Sequence, residues 1–283
     1  MNLFSKITAC AMLSGACLAA HASVITVPDS ALVSSNGYYT DTIDGGIGAV
    51  VVTTGGGNAA NVGNPNGRND DGFRGAISLG FTLNFFGQDY TSFYINNNGN
   101  ISFNGGISAF TPNGPQGAPQ PIISPFFADV DTRGGNSGVV HLRTDVADEV
   151  IVTWDNVGYY NSHDNLTNSF QLVLRGPGYT IPSGEGAIGF FYGDMQWETG
   201  DASSGQNGFG GTPAAVGFGD GQSNGEVLQG STENGISHIV NHTHIWFDQN
   251  LTPVPPTDLP EPMPLALLGL GLAALLVSRK RAS

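Results

Sequence analysis

The sequence predicts an all-β protein, a β-sandwich or barrel-like single domain, with a short apolar helix at each end of the chain. The chain has 42 glycines and 16 prolines among 283 residues, and glycine costs roughly 1 kcal/mol per interior helix position relative to alanine. Apolar residues alternate with small or polar residues between positions 77 and 85, which is the period of a half-buried strand. Eight Asn-Gly pairs supply residues that favour tight hairpin turns.

The remaining elements are predicted in the same way. Residues 92–96 and 100–104 form a hairpin around the turn Asn97-Asn98-Gly99. Many short strands with turn residues between them are typical of a sandwich or a barrel. The other predicted strands are residues 139–143, 149–154, 170–175, 187–192, 214–218 and 244–247.

Residues 1–22 are predicted to be a secretory signal peptide. A lysine precedes a short apolar run, and Ala20-His21-Ala22 forms a small-residue cleavage signal before Ser23. A buried N-terminal helix and a lipidated cysteine are the alternatives. Because both cysteines of the chain lie in this segment, the exported body is expected to contain no disulfide.

The C-terminal residues 260–283 carry three elements in a fixed order. A Pro-Glu-Pro triplet comes first, residues 265–277 are all apolar, and a basic cluster follows. Thirteen helical residues span ~20 Å against roughly 30 Å of hydrocarbon, so this is a short transmembrane helix. The order closely resembles a PEP-CTERM sorting tail, which implies cleavage by an exosortase, although Leu259 stands where that family usually has valine. The residues of the two processing signals are Ala20, Ala22, Ser23, Pro260, Glu261, Pro262, Arg279, Lys280 and Arg281.

The charge of the chain limits its partners. The chain has nine basic and 23 acidic residues, which give a formal net charge of −14. Nucleic-acid binding requires clustered lysine and arginine, so the sequence excludes a nucleic-acid partner. Strong negative charge also favours counter-cations.

Two segments and a hairpin carry a distinctive motif. The segments are residues 123–134, ISPFFADVDTRG, and residues 195–214, MQWETGDASSGQNGFGGTPA, and the hairpin spans residues 85–104. They resemble the nidogen-like extracellular domain, NIDO, and this resemblance implies an extracellular β-rich module associated with cell–matrix adhesion and without catalysis. The residues that carry the two segments are Pro125, Phe126, Asp129, Asp131, Arg133, Gln196, Trp197, Gly200, Asp201, Gly210, Gly211 and Pro213.

This resemblance divides the chain into five regions. The NIDO-like domain is expected to span residues 69–247. A looser N-terminal β and loop region, 23–68, follows the signal peptide, and a proline-rich extended linker, 248–259, precedes the sorting tail.

Asp129 and Asp131 are the candidate metal ligands. In an extended segment they lie on one face, because side chains repeat every two residues, and two carboxylates could hold Ca²⁺. The alternative is that they cap a turn and pair with Arg133 or Arg143. Asp201 is expected to be a turn residue, and Asp70 and Asp71 leave the same two interpretations open. No other cofactor is predicted.

Three further motifs have two interpretations each. Trp197 is either a sugar-stacking platform or a core residue. His238, His242 and His244 share one face if residues 236–247 form a single strand, which would suit zinc; otherwise they are solvated. Residues 221–225, GQSNG, match a nucleophile elbow, but no helix is predicted after them, as that elbow requires.

The sequence therefore predicts an exported, non-catalytic protein that binds exopolysaccharide or another surface component. The processing partners are signal peptidase and an exosortase. The expected location is the envelope, cell surface or secreted biofilm matrix of a Gram-negative-type bacterium, with transient anchoring by the C-terminal helix. The alternatives are a lectin-like glycan-active enzyme and a calcium-dependent, self-associating adhesin.

Overall fold

Two β-sheets form the body of the protein. The computed structural model describes residues 23–40 and 46–256, and within them fifteen strands and one short helix, α1 (Ile236–Val240), are assigned. The predicted all-β sandwich is confirmed. The strands are β1 (Val24–Val27), β2 (Val33–Ser34), β3 (Ala49–Val50), β4 (Gly55–Gly56), β5 (Gly72–Phe85), β6 (Gln88–Asn96), β7 (Asn100–Ser102), β8 (Pro121–Phe127), β9 (Val140–Arg143), β10 (Glu149–Tyr159), β11 (His163–Arg175), β12 (Ile188–Met195), β13 (Ala215–Asp220), β14 (Gly225–Leu228) and β15 (Thr243–Phe247).

The two sheets have different strand orders. The first sheet has eight strands in the order β1-β14-β13-β8-β7-β6-β5-β4. The second has seven, in the order β2-β15-β12-β11-β10-β9-β3. Neighbouring strands are antiparallel except for β1 and β14, which are parallel. The N-terminal region predicted to be loose thus contributes four short strands, two to each sheet.

Strand β5 shows how the alternating pattern determines burial. Leu79, Phe81, Leu83 and Phe85 are buried, while the residues between them are exposed. The hairpin that follows also forms as predicted, since Asn96 pairs with Asn100 across the turn. Gly99 of this turn has a φ of 76°, and any side chain there would collide with the carbonyl of Phe126.

Aromatic side chains join the sheets. Phe218 of the first sheet lies 4.8 Å from Phe247 and 5.2 Å from Phe190, both of the second sheet, between ring centroids. Phe85 completes the group at 6.2 Å from Phe218. All four rings are buried, so the core lies between the sheets.

Two regions differ from the sequence predictions. Residues 236–247 are not one strand, because α1 and a turn precede β15. The predicted linker does not begin at Asp248: Phe247 pairs with Pro253, and the amide of Val254 donates to the carbonyl of Trp246 at 2.8 Å. Leu251, between these pairings, is buried. Its burial helps residues 248–254 to pack against the two-sheet domain.

Both predicted processing signals lie outside the described residues, apart from Ser23. The same holds for the apolar segment 265–277. Within residues 23–40 and 46–256, no helix has the length and apolar character needed to cross a membrane.

Candidate functional site

The segment after β8 connects the two sheets. The amide of Asp131 donates to the carbonyl of Gly158 at 3.1 Å, and the amide of Tyr160 donates to the carbonyl of Asp129 at 3.0 Å. Asp131 also forms a bridge with Asp70, just before β5. These backbone bonds bring residues from β8, β10 and the start of β5 to one place.

Asp131 is fully paired at this junction. Its Oδ1 accepts from Nε of Arg133 at 2.8 Å, and its Oδ2 accepts from the same guanidinium at 2.6 Å and from the amide of Ser162 at 2.8 Å. Arg133 also lies 2.9 Å from Oδ2 of Asp70. Asp131 therefore takes the arginine-pairing role that the sequence left open.

Asp129 has the opposite environment. Only 1% of it is exposed, and neither carboxylate oxygen has a hydrogen-bond partner among the described residues. Its carboxylate lies with those of Asp70 and Asp71, and one oxygen from each lies within 4.8 Å of the others. An ionised carboxylate that is buried without a partner is strongly destabilised.

The pKa values of this carboxylate cluster reflect that destabilisation. Burial, followed by the charges of Asp71 and Asp70, raises the pKa of Asp129 to about 8. Burial and the charges of Asp131 and Asp71 raise the pKa of Asp70 to about 7, against the opposing effect of Arg133. Burial also raises the pKa of Asp71. Among the described residues, Arg133 is the one cation that contacts the cluster, through Asp70.

Asn98, in the turn between β6 and β7, reaches the same cluster. Its Nδ2 donates to Oδ1 of Asp71 at 2.7 Å and to the carbonyl of Ala109 at 3.0 Å. Its Oδ1 is buried without a hydrogen-bond partner among the described residues. A neutral oxygen thus lies beside the carboxylates.

The structure changes the predicted pair of metal ligands. The backbone of residues 128–131 is not a regular strand, since the amide of Val130 donates to the carbonyl of Ala128. Asp129 and Asp131 consequently take different roles. Sequence reasoning noticed Asp70 and Asp71 but did not join them to Asp129, because 58 residues separate Asp71 from Asp129.

Trp197 is a core residue and not a sugar platform. Its exposure is 0%, and its Nε1 donates to the carbonyl of Val157 at 3.0 Å. Its ring packs edge-on against Phe126 at 6.1 Å between centroids. The neighbouring Gln196 is exposed, and its Oε1 accepts from the amide of Thr167.

The other motif residues have separate structural roles. Gly200 packs against the carboxylate of Asp129 so closely that an added Cβ would collide with it. Asp201 begins a single helical turn and lies 2.9 Å from Nε2 of His163. The carbonyl of Pro125 accepts from the hydroxyl of Tyr192. Gly210, Gly211 and Pro213 lie in the loop that leads to β13.

The structure does not provide the single strand that the zinc interpretation of the three histidines requires. His238 lies on α1, His242 in the turn after it, and His244 on β15, so the single strand required to align them does not exist. His242 instead lies 3.0 Å from Asp194. The ring of His244 stacks on Phe191 at 5.1 Å.

The elbow motif is the turn between β13 and β14. Oδ1 of Asp220 accepts from the amides of Gln222 and Asn224 at 2.6 and 3.0 Å and holds this turn. A strand follows the turn instead of a helix. Ser223 therefore lacks the strand-to-helix geometry of a nucleophile elbow.

A polar groove of about 600 Å³ lies beside this turn. It runs between the β5–β6 turn, the approach to β8 and the β13–β14 turn. Tyr90 is half-buried in it, with its ring stacked on Phe103 at 4.5 Å. The polar residues that line the groove are Gln88, Asp89, Asn104, Gln120, Asp220 and Gln222.

The two packed sheets and their buried motif residues define a β-sandwich module. The chain belongs to the NIDO-related family, whose family model matches residues 50–252. The predicted NIDO resemblance is confirmed.

Curated proteins with similar sequences include alpha-tectorin and nidogen. Alpha-tectorin of Mus musculus is 33% identical over 206 residues, which cover 62% of this chain and 9% of alpha-tectorin. Alpha-tectorin of Gallus gallus is 32% identical over 206 residues, which again cover 62% of this chain and 9% of alpha-tectorin. Nidogen of Drosophila melanogaster is 24% identical over 123 residues, covering 35% of this chain and 9% of nidogen. The chain thus matches less than a tenth of the length of these relatives. No solved structure matches it significantly.

The pairing of Arg133 gives a prediction for stability. We expect Arg133→Gln to lower the free energy of unfolding by about 2–3 kcal/mol, because it leaves the buried Asp131 without its cation. Urea unfolding of the full chain measures this loss.

Arg74→Gln is the matched control. Arg74 is exposed, and its guanidinium is 3.4 Å from the carbonyl of Val52, so its replacement should change stability by less than about 0.5 kcal/mol. Equal losses in the two variants would contradict the role given to Arg133.

Proposed function

We propose that the protein is an exported, non-catalytic module that associates with extracellular polysaccharide in the matrix or at the cell surface. Membership of the NIDO-related family over residues 50–252 is the observation that carries this proposal. The signal peptide predicted at residues 1–22 and the resemblance to an extracellular family support the location. The acidic chain favours uncharged or cation-bridged glycans over polyanions.

The polar groove is the surface that suits a glycan. Sugar rings present apolar faces and many hydroxyl groups, so they are bound by an aromatic ring together with amide and carboxylate side chains. The groove offers Tyr90 as the ring. Gln88, Gln120 and Gln222 supply amides, and Asp89 supplies a carboxylate.

Tyr90 is held in place for this role. Stacking on Phe103 fixes its ring. Burial and the charge of Asp220 raise the pKa of Tyr90. Its phenol can donate a hydrogen bond. The ring therefore combines an apolar surface with a polar end.

A binding role is favoured over catalysis by what the candidate motifs do. The GQSNG motif is a hairpin turn, and His242 and His244 contact Asp194 and Phe191 respectively. The groove does contain two carboxylates, Asp89 and Asp220. Oδ1 of Asp220 accepts two backbone amides, and its Oδ2 accepts from Nδ2 of Asn224, so both oxygens are engaged in holding the turn.

We further propose that the C-terminal tail directs sorting. An exosortase would cut near Pro260-Glu261-Pro262, and the basic cluster Arg279-Lys280-Arg281 would remain on the cytoplasmic side of the inner membrane. The body would then pass to the envelope, the surface or the biofilm matrix. The order of the three tail elements is the observation that supports this step.

Replacement of Tyr90 tests the groove. We expect Tyr90→Ala to weaken binding of the full chain to matrix polysaccharide about tenfold, because an aromatic face is lost from the contact. A glycan array first identifies the bound polysaccharide, and surface plasmon resonance then measures the affinities.

Tyr94→Ala is the control for this measurement. Tyr94 lies on the same strand, β6, is also half-buried, and packs on Phe73 at 6.3 Å outside the groove. Its replacement should leave the affinity unchanged. Equal weakening by both substitutions would contradict the groove assignment, and release of reducing ends from the polysaccharide would favour the enzyme alternative.

Mass spectrometry of the exported protein tests the processing. The expected N-terminal residue is Ser23, and the tail beyond the Pro260–Pro262 region is expected to be absent. A cytosolic protein that begins at Met1 and retains Ser283 would contradict both processing steps.

A further inference from the structure

We propose that the side-chain oxygens of Asp70, Asp71, Asp129 and Asn98 bind one Ca²⁺ ion where the two sheets meet. This assignment rests on the geometry of the junction and does not depend on the glycan proposal. It replaces the predicted pair, since Asp131 is committed to Arg133.

The spacing of the oxygens suits calcium. One carboxylate oxygen from each of the three aspartates lies within 4.8 Å of the other two. Because Ca²⁺ binds oxygens at roughly 2.3–2.6 Å, two ligands on opposite sides of it lie about 5 Å apart. One ion between the three carboxylates can therefore contact all of them, and backbone carbonyls or water can complete about six to eight ligands.

Unpartnered oxygens outside the aspartates also point to a ligand. Oδ1 of Asn98 is a neutral acceptor with 0% exposure of its residue and no hydrogen-bond partner among the described residues. The amide nitrogen of the same side chain donates to Asp71, which places Oδ1 beside the cluster. Oδ1 of Asp70 and both oxygens of Asp129 are likewise buried and unpartnered. Buried acceptors that lack donors are rare, and a cation satisfies them together.

The local charge balance favours a cation. Asp70, Asp71, Asp129 and Asp131 lie near Arg133, whose guanidinium forms ion pairs with Asp131 and Asp70. Asp71 and Asp129 form no ion pair within the described part of the chain, and Asn98 is neutral. Four carboxylates beside one guanidinium leave a net negative charge when they are ionised, and a divalent ion neutralises most of it.

The ion would connect segments that are distant in the sequence. Asp70 and Asp71 precede β5, Asn98 forms the β6–β7 turn, and Asp129 follows β8. Asp129 is in turn bonded to Tyr160, beyond β10 of the second sheet. Because the only cysteines, Cys10 and Cys17, lie in the predicted signal peptide, calcium would provide the cross-link that disulfides provide in other extracellular domains.

Calcium binding to the full chain can be measured directly. After removal of cations with EDTA, we expect isothermal titration with CaCl₂ to show one strong site per chain. The melting temperature should rise by about 5–10 °C when Ca²⁺ exceeds its dissociation constant a hundredfold. MgCl₂ should have a smaller effect, because Mg²⁺ demands a tighter octahedral shell and dehydrates reluctantly.

Asp129→Asn separates a calcium site from a merely structural carboxylate. We expect this variant to lose the calcium-dependent rise in melting temperature. In EDTA it should melt at the same temperature as the parent or higher, because the amide removes like-charge repulsion. Asp71→Asn, at a less buried position, should also lose the response and serves if Asp129→Asn does not fold.

Asp194→Asn is the matched control. Asp194 is exposed on β12 and pairs with His242, so this variant should keep the full response to Ca²⁺. The proposal is overturned if the parent protein does not respond to Ca²⁺, if Mg²⁺ has an equal effect, or if both cluster variants retain the parent response.

Discussion

The structure depends on one electrostatic constraint, the carboxylate of Asp129 buried where the sheets meet. Its backbone carbonyl accepts from Tyr160, so the segment after β8 cannot move away without losing a connection to the second sheet. Its side chain lies against Asp70 and Asp71, with no donor to either of its oxygens among the described residues. Such a group is tolerated only when it is protonated or when a cation binds it, and calcium would resolve the conflict for all three carboxylates at once.

Several residues of the family motif pack at this junction and stabilise it. Arg133 neutralises Asp131 and holds Asp70, while Gly200 leaves room for the carboxylate of Asp129. Trp197 packs against Phe126, and its indole nitrogen donates a hydrogen bond to the backbone carbonyl of Val157. The two motif segments therefore meet in three dimensions although 60 residues separate them. The groove around Tyr90 lies elsewhere, among turns, where its side chains can change without disturbing the junction.

Sequence reasoning predicted the half-buried strand β5 and also the fully buried segments of β10, β11 and β12. Strand β5 was predictable because its apolar and polar residues alternate, which indicates one buried face. The turn at residues 97–99 was predictable because asparagine and glycine accept positive φ. Strand β8 has no alternation, since six of its seven residues are buried. The cluster itself depends on contacts between Asp71, Asn98 and Asp129, and local periodicity carries no information on long-range pairing. The zinc interpretation of the histidines lacks its single strand, because Gly235 precedes a short helix that breaks it.

A crystal structure of the full chain grown with CaCl₂ tests the central claim most directly. Diffraction data collected at long wavelength locate calcium by its anomalous signal. The account predicts one peak at roughly 2.3–2.6 Å from oxygens of Asp70, Asp71, Asp129 and Asn98. A peak elsewhere, or a cluster whose carboxylates bond to each other and to water in the presence of calcium, would contradict it.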